Sequence, residues 1–224
     1  MTDADAAPST VFLDLDETIC EHPRSTADRL ADAFADASVE PFFGVSDFRR
    51  WLAKVSADST VELREECFTG IADEQGRDPA DALAVARAYE DPDPTEVEFL
   101  PGAESALAEL GAGHDLALVT NGDRETQSQK LAALDIADYF DATTFTEPGG
   151  PVKPDPDHFH RTLSAMGIGA DEAVHVGNSL RSDVAGAKAA GISAVWLARS
   201  EESVEVTPDH TIESMWDLHE PPWM

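Results

Sequence analysis

Two aspartates one residue apart, Asp14 and Asp16, follow an apolar run that begins at Val11. A run that does not alternate with polar residues is typical of a parallel strand with both faces buried. Carboxylates at the end of such a strand would lie at the carboxyl edge of the sheet, where open α/β folds bind their ligands. Acidic side chains crowded there repel one another unless they share a cation or a proton. The stretch therefore indicates either a cation-dependent catalytic site or an acidic turn after a strand.

A second polar group ends the next buried strand, which runs from Asp115 to Thr120. Thr120, Asn121 and Gly122 offer a hydroxyl, an amide and backbone N–H groups, although Asn-Gly is also a common turn pair. Lys153 stands just before a predicted helix and is one of only four lysines in the chain. A surface lysine is the simpler interpretation, but this chain elsewhere favours acids over lysine. Both groups therefore keep a structural and a functional interpretation open.

A third group follows a buried strand that ends at Gly177 and leads into a helix. Glycine permits a sharp turn at this point, and Asn178 and Asp183 offer oxygen ligands to a hard cation. The structural alternative is an ordinary strand-to-helix loop in which Asp183 caps the helix. Each group carries little weight alone, but all of them fall where a predicted strand ends or a predicted helix begins.

The elements that must position these residues alternate between helix and strand from about residue 95 onward, which favours a parallel sheet with helices on both faces. Residues 20–94 show only helical patterns, including a helix for which Ser46 is the predicted N-cap. This block ends at the stiff, polar junction Asp91-Pro92-Asp93-Pro94. We therefore predict an α/β fold with a doubly wound parallel sheet, formed by residues 1–19 and 95–224. An all-helical insert at 20–94 interrupts it.

Acidic residues dominate the charge: 45 Asp and Glu against 15 Lys and Arg give a formal net charge of −30. Such a field repels nucleic acid and anionic membranes, so neither is an expected partner. No apolar run approaches the ~20 residues of a membrane-spanning helix, and the first residues lack the basic start of a secretory signal. Two cysteines, Cys20 and Cys67, make neither a disulfide framework nor a zinc motif. We expect a soluble, cytoplasmic protein, and the sequence leaves its oligomeric state open.

The composition resembles that of cytoplasmic proteins from extreme halophiles. Surface charge of one sign destabilises the compact state by self-repulsion unless salt screens it. We therefore predict that the melting temperature, measured by circular dichroism, rises from dilute buffer to molar KCl. A melting temperature that did not rise with salt would contradict this prediction.

Taken in order, the polar groups resemble the four motifs of the haloacid dehalogenase (HAD) superfamily. The matching segments are Asp14-Leu15-Asp16-Glu17-Thr18, Thr120-Asn121-Gly122, Lys153-Pro154 and Gly177-Asn178-Ser179 with Asp183. The helical insert resembles the C1 cap of that family, and the short span between the second and third motifs makes a C2 cap unexpected. One position departs from the family, whose fourth motif usually has an aspartate where this chain has Asn178.

The resemblance implies a phosphatase mechanism in which Asp14 attacks phosphorus and forms an aspartyl-phosphate. Asp16 would protonate the leaving oxygen and then activate water. Lys153 would neutralise charge on the transferring group and keep Asp14 ionised. Glu17, although adjacent, is expected to belong to the turn and not to the metal site.

The resemblance also implies Mg²⁺ as the cofactor, which would offset the repulsion between nucleophile and phosphate. Its predicted ligands are Asp14, Asp183, Asp16 through its backbone carbonyl, and Asn178 directly or through a water. The predicted phosphate-binding residues are Thr120, Asn121, Gly122 and Lys153.

The presence of Asp16 argues against dehalogenation, because the haloacid dehalogenases of this superfamily lack the second aspartate. Ion-pumping relatives carry a different first motif and long membrane segments, and neither is present in this sequence. A phosphomutase shares both aspartates and stays open as an alternative, as does a non-catalytic binding protein of the same fold. The expected substrate is a small phosphorylated metabolite, whose identity the sequence does not select.

Overall fold

The computed structural model describes residues 7–52, 54, 55, 57, 59–199 and 206–224. These residues divide into two units by their contacts. One unit is His22–Asp93, and the other comprises the described residues of Met1–Glu21 and Pro94–Met224. Within the described ranges, no helix is long and apolar enough to cross a membrane.

The larger unit is built on a six-stranded sheet in which every neighbouring pair of strands is parallel. The strands of the chain are β1 Thr10–Leu13, β2 Cys20–Glu21, β3 Glu98–Phe99, β4 Asp115–Asp123, β5 Ala142–Thr146, β6 Ala173–Gly177, β7 Ser193–Leu197 and β8 His210–Ile212. Their order in the sheet is β5-β4-β1-β6-β7-β8, while β2 and β3 form a separate antiparallel pair. The predicted doubly wound α/β sheet is confirmed.

Eight α-helices are seen in the described residues. They are α1 Thr26–Asp36, α2 Val45–Leu52, α3 Thr60–Glu74, α4 Pro79–Ala88, α5 Ala103–Gly111, α6 Arg124–Ala133, α7 Pro156–Met166 and α8 Ala185–Ala189. The first four belong to the helical unit, and the last four connect the strands of the sheet. A π-helical turn, Leu180–Val184, leads directly into α8.

All four residues of β1 are buried, because the strand lies in the middle of the sheet. Val11 and Leu13 belong to a core cluster that includes Leu107 of α5. Phe12 belongs to a second cluster, which includes Phe159 of α7. Successive side chains of a strand point to opposite faces, so both faces of β1 are covered. This burial explains the unbroken apolar run that precedes Asp14.

An aromatic cluster forms the centre of the helical unit. The ring of Phe68 packs edge-on against Phe43 and Phe48, with centroids 4.7 and 5.0 Å away. Phe34 also packs edge-on against Phe43, with a centroid distance of 5.0 Å. Edge-to-face aromatic pairs stabilise a core beyond the area that they bury, by about 0.5–1.5 kcal/mol each. Aromatic pairs therefore contribute to the stability of this core.

Side chains cap three helices of this unit at their N-termini. The capping residues are Ser25 for α1, Ser59 for α3 and Asp78 for α4. The predicted N-cap Ser46 is wrong, because α2 begins one residue earlier, at Val45. The side chain of Asp47 instead accepts the N–H of Gly44 (3.3 Å) ahead of the helix.

Cys20 and Glu21 form a short strand that the sequence did not indicate. Cys20 pairs with Phe99 and Glu21 with Glu98. The segment before the helical unit therefore pairs with the segment that follows it in the sequence. A strand of two residues cannot show alternation, and the sequence pattern therefore placed these residues in the helical block.

Candidate active site

The carboxyl ends of β1, β4 and β6 lie side by side, because these strands are neighbours in a parallel sheet. Asp14 follows β1 directly, and its backbone N–H donates to the carbonyl of Val176 in β6 (3.0 Å). Thr120 lies in β4, and Asn178 directly follows β6. Predicted site residues from distant parts of the chain therefore converge at one edge of the sheet.

A buried lysine joins two buried aspartates at this edge. Nζ of Lys153 donates to Oδ1 of Asp14 (2.7 Å) and Oδ1 of Asp183 (2.6 Å). It also donates to the carbonyl of Val119 (2.7 Å), so all three ammonium protons are used. Asp14, Lys153 and Asp183 are 7%, 4% and 1% exposed, so water screens their charges little. We call these three residues the triad, in which one negative charge is left uncompensated when both aspartates are ionised.

Burial and charge together set the protonation of the triad. Burial raises the pKa of Asp14 to about 7; Lys153 lowers it, and the charge of Asp183 raises it. The attraction of Lys153 favours the ionised form of Asp14, as predicted, while burial acts in the opposite direction. Burial acts to raise the pKa of Asp183 as well, yet Lys153 and His175 hold it below its usual range. Although burial opposes it, both carboxylates raise the pKa of Lys153, so its amine is charged.

Asp183 is held in place by the loop around it. Its Oδ2 accepts the N–H of Ser179 (3.0 Å), and its Oδ1 lies 3.2 Å from Nε2 of His175. Burial lowers the pKa of His175, so the ring is neutral and directs the Nε2 proton at Asp183. A Cβ atom at Gly177 would overlap the Asp183 carboxylate, so this approach requires glycine. The interpretation of Asp183 as a helix cap is wrong, because Ser179 caps the π-helical turn that contains it.

The second predicted motif lies at the same edge, and the side chain of its asparagine binds the backbone of Lys153. Oδ1 of Asn121 accepts the backbone N–H of Lys153 (2.7 Å), and its Nδ2 donates to the Lys153 carbonyl (3.0 Å). The Asn121 amide therefore holds Lys153 in position, and phosphate binding by Asn121 stays a prediction. The hydroxyl of Thr120 accepts the N–H of Gly122 (3.1 Å), which leaves its own proton for another acceptor.

His158 is a supporting residue that was not predicted. Its Nε2 lies 2.9 Å from the carbonyl of Thr120, and burial lowers the pKa of the ring. The neutral ring donates this hydrogen bond, since a carbonyl can only accept. His158 therefore fixes the backbone that carries the Thr120 hydroxyl.

Asp16 has partners quite different from those of Asp14. Its Oδ2 accepts Nε2 of Gln127 (2.8 Å), and its Oδ1 accepts Nζ of Lys130 (2.5 Å). Both partners are buried side chains of α6, whereas the Asp16 side chain is 42% exposed. Neither partner was among the predicted site residues, although their spacing places them on one helix face soon after Gly122. With both carboxylate oxygens engaged, the backbone carbonyl is the candidate metal ligand at Asp16.

Asn178 connects its own loop with the loop that follows β1. Its Nδ2 donates to Oε2 of Glu17 (3.2 Å), and its carbonyl accepts Nε1–H of Trp196 (2.9 Å). The Thr18 hydroxyl lies 3.4 Å from Asn178 Oδ1 and 3.2 Å from Asp14 Oδ2. Its single proton can serve one of these acceptors at a time. Glu17 has a left-handed backbone with φ 59° and belongs to the turn.

The donor atoms at this edge suit a hard divalent cation. Carboxylate and amide oxygens are the ligands that Mg²⁺ prefers, and Asp14, Asp183 and Asn178 supply them. A cation would also neutralise the uncompensated charge of the triad. In the part of the chain that the structure describes, no three His, Cys, Asp or Glu side chains form a ready metal site. The Asn178 oxygen and a backbone carbonyl would therefore have to complete the ligand set.

Comparison with known protein families gives a match over most of the chain. The family model of haloacid dehalogenase-like hydrolases matches residues 8–191. The chain belongs to this family. Among relatives of the HAD hydrolase, a phosphoserine phosphatase from Thermus thermophilus is 30% identical over 232 residues, which cover 89% of this chain and 93% of that protein. A ribulose-1,5-bisphosphate 5-phosphatase from Halopiger xanaduensis is 36% identical over 151 residues, covering 62% of this chain and 63% of that protein.

Solved structures show the same fold for this HAD hydrolase. The structure of the HAD-hydrolase YfnB from Bacillus subtilis, bound to magnesium, has a TM-score of 0.68 and 21% identity. The match covers 96% of this chain and 98% of that chain. An identity this low supports the fold alone, so the magnesium is a property of that protein. The predicted superfamily and the predicted hydrolase class are confirmed.

Proposed function

We propose that this HAD hydrolase removes the phosphoryl group from small phosphate monoesters, with Mg²⁺ as cofactor and Asp14 as nucleophile. The triad carries the proposal. A carboxylate beside a buried ammonium suits attack on phosphorus, because the ammonium takes up negative charge on the transferring group. The relatives named above are phosphatases by name, which supports the same reaction class.

In the first step, an oxygen of Asp14 bonds to phosphorus while the ester P–O bond breaks. Lys153 stabilises the charge that spreads over the phosphoryl oxygens, and the Thr120 hydroxyl donates a hydrogen bond to one of them. Asp16 transfers a proton to the leaving oxygen, so the alcohol departs neutral. The product is an aspartyl-phosphate on Asp14.

In the second step, water attacks phosphorus and the bond to Asp14 breaks. Asp16, ionised after the first step, takes the proton of the attacking water. Inorganic phosphate leaves and the Asp14 carboxylate is restored. Dividing the hydrolysis in this way replaces one difficult displacement by two easier ones.

Asp14, Asp183, Asn178 and the Asp16 carbonyl would hold Mg²⁺. The ion supplies positive charge that offsets the repulsion between the nucleophile and an anionic substrate. It would also favour the ionised form of Asp14, which burial disfavours.

The helical unit, His22–Asp93, is the C1 cap in this proposal, and small phosphorylated metabolites are the substrate class. The net charge of −30 supports a salt-rich, cytoplasmic setting. A phosphomutase would deliver the phosphoryl group to a second hydroxyl, so release of inorganic phosphate separates the two reactions.

We expect chelation to abolish the activity. With p-nitrophenyl phosphate and a panel of phosphorylated metabolites in molar KCl, the protein should release phosphate when Mg²⁺ is present. EDTA should stop the release, and excess Mg²⁺ should restore it, because the triad needs a cation to offset its charge. Activity that survived EDTA would contradict the metal requirement. Absence of phosphate release from every ester, in both low and molar salt, would contradict the phosphatase itself.

A further inference from the structure

Two buried side chains of α6, Gln127 and Lys130, engage both carboxylate oxygens of Asp16. Nζ of Lys130 lies 2.5 Å from Oδ1, and Nε2 of Gln127 lies 2.8 Å from Oδ2. The partners are three residues apart, so they project from the same face of the helix. We infer that Gln127 and Lys130 are positioning residues that hold the Asp16 carboxylate for its role as base, an inference that rests on the proposed phosphatase function.

The use of lysine in this chain supports a dedicated role for Lys130. Lysine is rarely buried unless its charge is paired, and Lys130 is 6% exposed with Asp16 as its ion-pair partner. The chain has 45 acidic and 15 basic residues, so a surface lysine would find acidic partners readily. Two of its four lysines are instead buried against the aspartates after β1, Lys153 against Asp14 and Lys130 against Asp16.

Gln127 is held in one orientation by charge and by space. Turned around, its amide would point an oxygen at the Asp16 carboxylate, which is unfavourable. A Cβ atom at position 122 would overlap the Gln127 amide, so Gly122 makes room for it. Asp123 caps α6 by accepting the N–H of Thr126 (2.9 Å), which fixes the start of the helix. The support for Asp16 is therefore built onto the helix that directly follows the strand carrying Thr120.

The contacts of Gln127 and Lys130 with Asp16 suit the second step of the proposed reaction, in which water attacks the aspartyl-phosphate. A carboxylate that accepts from an ammonium and an amide keeps lone pairs for a further proton, so it can receive the proton of the attacking water. The Asp16 side chain is 42% exposed, and without these donors it would be free to rotate toward solvent. Loss of the donors should therefore slow hydrolysis of the aspartyl-phosphate.

The test compares Lys130→Met with the unchanged protein on p-nitrophenyl phosphate and Mg²⁺. Nitrophenol is a good leaving group that needs no acid, so the first step is insensitive to Asp16. The variant should show a burst of nitrophenol equal to the enzyme present, followed by turnover reduced about 10²-fold in kcat. Its kcat/KM reports the first step and should stay near that of the unchanged protein. A defect of folding alone would lower kcat and kcat/KM together.

Gln127→Met provides a second variant that removes a donor with little change in volume, and it decides the matter if Lys130→Met does not fold. Lys188→Met is the matched control, because Lys188 pairs with Asp209 at the surface (2.7 Å) and should leave both constants unchanged. Folded variants with an unchanged kcat, or with kcat and kcat/KM reduced together and no burst, would overturn the inference alone. If the unchanged protein released no nitrophenol, both the inference and the phosphatase would be overturned.

Discussion

Replacing Asp14 with asparagine should abolish phosphate release and, at pH 8 without metal, make the protein more stable. Asparagine cannot form the aspartyl-phosphate, so turnover of p-nitrophenyl phosphate should fall by at least about 10³-fold. The gain in stability follows from the pKa of Asp14, which folding raises from 3.8 to about 7. Thermal melts at pH 5 and pH 8 in EDTA, with turnover assays in Mg²⁺, measure both effects.

The sign of the stability effect follows from proton linkage. The folded chain binds the Asp14 proton more tightly than the unfolded chain does. Protonation of Asp14 therefore contributes fully to the free energy of unfolding below pH 3.8. It is lost as the pH rises through about 7, where a buried charge appears in the folded protein. Asp14→Asn removes that charge, so its advantage over the unchanged protein should be larger at pH 8 than at pH 5. Each kcal/mol corresponds to about 2–4 °C in a chain of this size.

Asp16→Asn is the matched control for this prediction, because it makes the same change two residues along the chain. The Asp16 side chain is partly exposed and bound by Lys130 and Gln127, so its replacement should bring no gain in melting temperature. A lower melting temperature for Asp14→Asn at pH 8, or retained turnover, would contradict our description of the triad.

Lys153→Met should have the largest effect on folding. It would leave Asp14 and Asp183 buried together with no ammonium between them, and removing one member of a buried ion pair costs about 3–5 kcal/mol. Urea unfolding at pH 8 in EDTA would measure this loss. Phosphate release should also disappear, since no other buried cation contacts Asp14 among the described residues.

Mg²⁺ should stabilise Lys153→Met more than it stabilises the unchanged protein, because the cation takes over part of the missing positive charge. Lys188→Met is the control, since the exposed pair with Asp209 contributes only about 0–1 kcal/mol. Equal stability of Lys153→Met and the unchanged protein would show that the triad is not a buried ion cluster.

The parallel core was predictable because its strands carry strong local signals. β4 begins at the predicted Asp115 and β6 ends at the predicted Gly177, since each is an apolar run next to turn residues. The start of α2 at Val45 was missed because Ser46 has the properties of a cap that the helix does not use. The pairing of β2 with β3 depends on residues far apart in the chain, which no local pattern reports.

The sequence predicted which residues lie in the candidate site, but it predicted less well which side chains contact one another there. Asp14, Lys153 and Asp183 meet because parallel strands bring their ends together, which follows from the fold. The contact between Lys130 and Asp16 depends on how α6 packs, so the type and spacing of the residues did not reveal it. The pKa of Asp14 depends on the depth of burial, which a sequence pattern cannot measure. The roles of these residues stay predictions until the variants are tested.

The distribution of the four lysines has a practical consequence for labelling. Lys130 and Lys153, buried against Asp16 and Asp14, are shielded from reagents that acylate primary amines. The side chains of Lys54 and Lys188 are 49% and 39% exposed, one in the helical unit and one in the sheet unit. Apart from the α-amino group, fluorophores carried by succinimidyl esters should therefore attach once to each unit. Donor and acceptor dyes placed in this way would leave the candidate active site chemically untouched.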